Sequence, residues 1–268
     1  MVAGLTLSAL AVGGCGDNKV VVSEPTQPDE TPGGDVEALG LPATASVNDG
    51  DFATSISCAE CHSNSPDADA MRDEDDREVG FYDLWQGTMM ANASRDPLWR
   101  AVVSAEIAAT PSRKDVIEDK CMRCHAPAAS SAAVLEGQTV AMDLMKADSD
   151  RGHFARDGVT CTVCHQIEPD GLGATASFSG GFVIKALGKI YGPHDDNFAH
   201  PMENHSGFSP VYASHTTTSE LCASCHTLFT NALTADGEIL EAQLPEQTPY
   251  LEWKNSVFST TEVASCQD

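Results

Sequence analysis

Cys58-Ala59-Glu60-Cys61-His62 is the first of four copies of one pattern. It recurs as Cys121-Met122-Arg123-Cys124-His125, Cys161-Thr162-Val163-Cys164-His165 and Cys222-Ala223-Ser224-Cys225-His226. In each copy two thiols three residues apart are followed at once by an imidazole. That spacing lets both cysteines of a pair add to the two vinyl groups of one porphyrin. The next residue, His62, His125, His165 or His226, is then held against the ring as an axial iron ligand. The four copies point to four covalently attached haems c. Zinc knuckles and thioredoxin-like dithiols also use Cys-x-x-Cys pairs, and they stay as alternatives, although neither requires the histidine. Eight of the ten cysteines fall inside the copies, which leaves Cys15 and Cys266.

The composition says what kind of fold this has to be. Residues 51–268 give each of four haems about 55 residues, too few for four separate domains of ordinary size, so the haems share one wrapping. Aromatic residues make up 6% of the chain and apolar residues 41%. Core-forming side chains are scarce, and the porphyrins are expected to supply much of the buried apolar surface. The expected class is mainly α with extensive irregular loops and little β structure, organised by its cofactors. Helices are expected over residues 83–93, over Pro97–Ala109 with Asp96 as N-cap and Pro97 in the first turn, and over 132–146. Residues 182–191 read as strand or short helix. The connectors 169–181 and 195–210, full of Gly, Pro, Asn, Asp and Ser, read as irregular.

The two ends are read separately. Residues 1–14, before Cys15, form an uncharged apolar run too short to span a bilayer. The run resembles a bacterial lipoprotein signal peptide, which implies cleavage before Cys15, a lipid on its thiol and attachment to a membrane. An ordinary secretory peptide with an incidental cysteine is the alternative. Both imply export, to the periplasm or the outer cell surface. Residues 15–50 lack hydrophobic periodicity and read as a flexible acidic tether, with a short strand at 20–22. At the other end Cys266-Gln267-Asp268 matches the first three residues of a further Cys-x-x-Cys-His. The first cysteines stand 63, 40, 61 and then 44 residues apart, so a long-short alternation continues. The expectation is a chain truncated inside a fifth motif, with at least five haems in the natural protein; a natural terminus with a lone cysteine is the alternative.

Fifteen basic against 40 acidic residues give a net charge of −25. Such a field repels nucleic acid and favours redox partners with basic docking surfaces. The densest acidic run, 66–78, reads as a docking face or a solvated loop.

With the motifs in place, three further stretches carry a family resemblance: GTMMANASRDPLW (87–99), SHTTTSELCASCHTLFT (214–230) and PEQTPYLEWKNS (245–256). The chain resembles bacterial exported multihaem cytochromes c, relatives of the tetrahaem electron acceptors of hydroxylamine oxidation. The resemblance implies stacked haem pairs and electron transfer. Residues 81–90 and 249–258 are also similar to each other, each with an aromatic residue, then Trp, then a small hydroxyl residue three places on. In that family such segments often end in a far axial histidine. Here the position holds Met90, a candidate thioether ligand, and Phe258, which ligates nothing.

Five histidines remain as distal iron-ligand candidates. His215, seven residues before Cys222, and His153, eight before Cys161, lead. His194, His200 and His205 share one connector. The expected function is electron transfer through low-spin, six-coordinate haems. The alternative is an oxidoreductase with one open haem iron acting on a small nitrogen or sulfur compound such as nitrite, hydroxylamine or tetrathionate. No Ser-His-Asp set, phosphate loop or paired carboxylates claim a separate catalytic role.

Overall fold

A computed structural model describes residues 40–66, 71–261 and 264–267. The expected leader, Cys15, the strand at 20–22 and the tether up to residue 39 lie outside the described residues. Helix is the main regular element, and strand is limited to two two-stranded sheets among the described residues. None of the described helices is long and apolar enough to cross a membrane.

The core gathers around the helix Pro127–Leu135, whose sequence PAASSAAVL explains why it sits at the centre. Its small side chains let neighbouring backbones approach closely, and Ala128, Ala129, Ser130, Ser131 and Ala133 are all buried. Against it pack the helices Lys114–His125 and Asp150–Arg156. Leu41, Phe52, Met122, Met145, Phe154, Val163 and Phe182 complete the cluster. Phe52 and Phe154 meet edge-on at 6.2 Å.

The helix Pro97–Ala109 forms as the sequence dictates, with the Asp96 carboxylate accepting the Leu98 N–H at 2.9 Å and Pro97 at a position whose N–H has no helical partner anyway. Three expectations need correction. The helix placed at 83–93 is Phe81–Gln86 followed by turns. The one placed at 132–146 splits into Pro127–Leu135 and a 3-10 turn Met142–Lys146, because Gly137 takes a left-handed conformation between them. The connector read as irregular at 195–210 contains the helix Ala199–Ser206, closed by left-handed Gly207. That helix crosses over between the parallel strands Lys189–Gly192 and Ser209–Tyr212.

A second sheet was not expected. Leu228–Leu233 and Ile239–Gln247 pair antiparallel around a turn with Gly237 at φ +83°. The Gly237 carbonyl receives the Arg113 Nε–H at 2.6 Å, and Ser179 Oγ bonds both the N–H and the carbonyl of Phe229. The hairpin is therefore fastened at two places.

Residues 40–50, assigned to the tether by composition, are packed. Leu41 is buried, Val47 lies on the core, and Thr54 Oγ1 links to Ala45 and Val47. In the acidic run the described residues fold into a loop closed on itself. Arg72 pairs with Asp76 and Glu78, and Arg77 with Asp73 and Asp75. These contacts suit a solvated loop, and such exposed pairs add little stability.

Candidate functional site

The four motifs lie on short helices that converge. CAECH ends the helix Ser55–His62, CMRCH ends Lys114–His125, Cys161–Cys164 is a single turn, and Ser219–Cys222 leads into the fourth. The described cysteines are all free thiols. The thiols of Cys58 and Cys161 lie close enough to shift each other's ionisation, as do those of Cys124 and Cys225. Cys164 is close enough to Cys222 and Cys225 to interact with both electrostatically. The His62 and His165 rings interact in the same way, as do those of His125 and His226. Chain order 1-2-3-4 thus becomes spatial order 1-3-4-2.

The second and third motifs are seated by the packing around them. Thr162 and Val163, between the cysteines of the third motif, are buried, and Thr162 Oγ1 bonds the N–H and carbonyl of Ala53. In the second motif the Arg123 guanidinium lies 3.8 Å from the Phe182 ring centroid. It donates to the carbonyls of Gly180 and Phe182 and to Ser131 Oγ. Left-handed Gly158, just ahead of the third motif, lies so close to the carbonyls of Met90 and Ala91 that a Cβ would stand 2.5 Å from both.

The histidines carry the strongest chemical signal. His125 Nδ1–H donates to the Ala93 carbonyl at 2.9 Å, and His165 Nδ1–H to the Tyr191 carbonyl at 2.6 Å. A carbonyl only accepts, so in both rings the proton sits on Nδ1 and Nε2 keeps its lone pair for a metal. Burial holds His62, His125 and His226 below the ordinary imidazole range, in the neutral form that ligates iron. His62 Nδ1 is buried with no protein partner. Trp99 stacks on His125 at 4.3 Å and 6°. Trp99→Ala is expected to cost about 1 kcal/mol and, should a porphyrin be attached at this motif, to disturb its spectrum. Unchanged stability with an unchanged spectrum would disconnect Trp99 from the site.

Burial pushes the thiols of Cys121 and Cys164 up to about 12 and that of Cys222 up to about 11. Within the two sulfur pairs, hydrogen bonding from the partner thiol lowers Cys161 and Cys124. The raised thiols of Cys121 and Cys222 are poor thiolate nucleophiles, unlike the first cysteine of a redox dithiol. Apolar side chains stay open to solvent beside the histidines: Phe81, 62% exposed, has its ring 6.0 Å from that of His62, and Leu98, 71% exposed, is next to Trp99. Free thiols, Nε2 lone pairs and uncovered apolar groups together fit a porphyrin. Among the described residues no three His, Cys, Asp or Glu side chains converge as a metal site of their own.

The distal candidates are placed unequally. His153 is buried, and its Nδ1 accepts from the Ala45 N–H at 3.0 Å and from Arg156 Nη2 at 2.7 Å. Its proton is therefore on Nε2, which lies 3.4 Å from Asp148, the reverse of a ligand's arrangement. In this arrangement His153 holds residue 45 and Arg156 in place. His215 Nε2–H donates to the Ile167 carbonyl at 2.9 Å, and its ring meets Tyr191 edge-on. It is thus set against the third motif and not the fourth, which it precedes. His205 Nε2 lies 3.0 Å from Glu60, inside CAECH. His194 and His200 are exposed, and His200 faces Glu203. The half-exposed Met90 is anchored by its carbonyl, which accepts the Val159 N–H.

One relation is broader than the sequence reading found. Cys161 N–H donates to Ser55 Oγ at 3.2 Å, and Cys266 N–H donates to Ser219 Oγ at 2.9 Å. Each serine stands three residues ahead of the first cysteine of a motif, and the thiols of Cys222 and Cys266 shift each other's ionisation as those of Cys58 and Cys161 do. The Trp85 indole donates to Val159 O at 3.0 Å and that of Trp253 to Ala264 O at 2.7 Å, each carbonyl two residues before the partner cysteine. Thr88 and Ser256 both donate to the carbonyl of their tryptophan at 2.7 Å, and Tyr82 and Tyr250 lie 6.0 and 5.7 Å from it. The signal for this internal repeat was Thr54-Ser55-x-x-Cys58-Ala59-x-Cys61-His62 against Thr218-Ser219-x-x-Cys222-Ala223-x-Cys225-His226. No family model, curated protein or solved structure matches the chain.

Proposed function

We propose that the chain is an exported electron-transfer protein with haem c at each of the four Cys-x-x-Cys-His motifs, held at a membrane through a lipid on Cys15. The observation that carries the reading is the Nδ1–H donation of His125 and His165 to backbone carbonyls, which orients Nε2 for iron. When bound, each haem supplies a one-electron iron couple. The protein's own part is to seat the sites in the order of Cys58, Cys161, Cys222 and Cys121, with paired motifs suited to stacked haems. Cys266 stands to Cys222 as Cys161 stands to Cys58. The acidic surface suits basic redox partners and not nucleic acid.

A second reading is an oxidoreductase with one open iron for nitrite, hydroxylamine or tetrathionate. It is favoured by Phe258, which stands in the repeat where Met90 does, and by the engagement of His215 Nε2 with Ile167. Electron paramagnetic resonance of the loaded ferric protein separates the two. Low-spin signals alone are the result expected of a carrier, whereas a high-spin signal that shifts on adding nitrite belongs to an enzyme.

A further inference from the structure

Asp157 is a buried acid for which electron carriage alone has no use. It caps the helix Asp150–Arg156, is 6% exposed, and accepts the Ser55 N–H on Oδ2 at 2.6 Å. Ser55 opens the helix that carries the first motif, and its Oγ accepts the N–H of Cys161 in the third. One residue thus connects the carboxyl to both attachment sites. The groups facing it are the thiols of Cys58 and Cys161, the Tyr82 phenol and the Arg95 guanidinium. Thioether formation makes both sulfurs uncharged, leaving Arg95 as the facing cation. Burial pushes the carboxyl up to about 7, against the opposing pull of the Ser55 hydrogen bonds and Arg95.

We propose that Asp157 takes up a proton when the iron sites at Cys58 and Cys161 are reduced, so that electron entry into this pair is coupled to proton uptake. The inference rests on the haem-attachment reading. The electron comes from the redox donor and converts one ferric iron to ferrous. The proton comes from water and converts the carboxylate to the acid, so the net charge of the pair is unchanged; oxidation returns the proton. The physical cause is that an added electron disfavours a neighbouring carboxylate in a low-dielectric setting. Oδ2 keeps the Ser55 N–H in both states while Oδ1 carries the proton, so the contact between the motifs survives.

The test is spectroelectrochemical titration of the haem-loaded chain on either side of neutral pH. One midpoint is expected to fall by up to about 59 mV per pH unit, the value for one proton per electron. D157N is expected to flatten that slope while keeping all haems. An unchanged slope in D157N assigns the protons to other groups, propionates among them, and overturns the proposal. Reduced-minus-oxidised infrared spectra of the unmutated protein give an independent reading. A carboxylic-acid carbonyl band gained on reduction and shifted in heavy water is expected, and its absence also overturns the proposal. A protein without covalent haem sinks the underlying reading and not this coupling.

Discussion

Replacing Cys161 and Cys164 together with serine is expected to remove one haem and to destabilise the fold more than the same change at any other motif. The third motif is the centre of the sulfur arrangement. Cys161 meets Cys58, and Cys164 interacts with Cys222 and Cys225. Its intervening Thr162 and Val163 are buried, whereas Cys61 of the first motif is exposed. A group that organises a core contributes its binding energy to folding. The loss at the third motif is therefore expected to exceed about 4 kcal/mol, the range associated with losing a bound group or a buried network. The Cys58 and Cys61 double replacement is expected to lose one haem at a smaller cost. Denaturation of the two loaded variants, with haem counted by mass, checks the order. Equal losses would remove the third motif from the centre.

Arg156→Met is expected to cost about 3–5 kcal/mol, since each buried polar group left without its partner costs about 1–3 kcal/mol. The guanidinium is fully buried and donates to the carbonyls of Met145 and Ala147, both at 2.7 Å, and to His153 Nδ1. Removing it strands two carbonyls and a ring nitrogen that methionine cannot satisfy. It also frees His153, which holds residue 45 against the core. The loaded variant's denaturation midpoint reads the effect, and a loss below about 1 kcal/mol, that of an ordinary surface change, contradicts this account of the network.

The four Cys-x-x-Cys-His motifs were legible because their spacing is local and does not depend on tertiary context. Pro97–Ala109 was legible for a similar reason, since its cap and first-turn proline are fixed by adjacent residues. The hairpin Leu228–Leu233 with Ile239–Gln247 was not read, although Asp236-Gly237 between two alternating runs is a hairpin signal. Ile239–Gln247 is exposed along its whole length, so no buried apolar face marks it as a strand. Residues 40–50 were misassigned because composition does not reveal that Leu41 finds a place in a core built largely elsewhere. The contacts of His153 were not legible because a buried histidine and a ligand look alike in sequence. Only the donors on Nδ1, residue 45 and Arg156, separate them.

The repeat was half legible. The tryptophan segments were matched, but the Thr-Ser-x-x-Cys-Ala stretches at 54–59 and 218–223 were not joined to them. Joining them requires knowing that Ser55 and Ser219 each receive the N–H of a distant cysteine. The spatial order of the motifs is likewise a long-range property, seen in the proximity of Cys58 to Cys161, of Cys164 to Cys222 and Cys225, and of Cys225 to Cys124.

The most direct measurement is mass spectrometry of peptides from the protein matured in a host that attaches haem c. The account predicts that the peptides containing Cys58 with Cys61, Cys121 with Cys124, Cys161 with Cys164 and Cys222 with Cys225 each carry one haem, and that these eight cysteines resist thiol alkylation. Peptides of unmodified mass whose cysteines alkylate freely, from protein that keeps its fold, would contradict it.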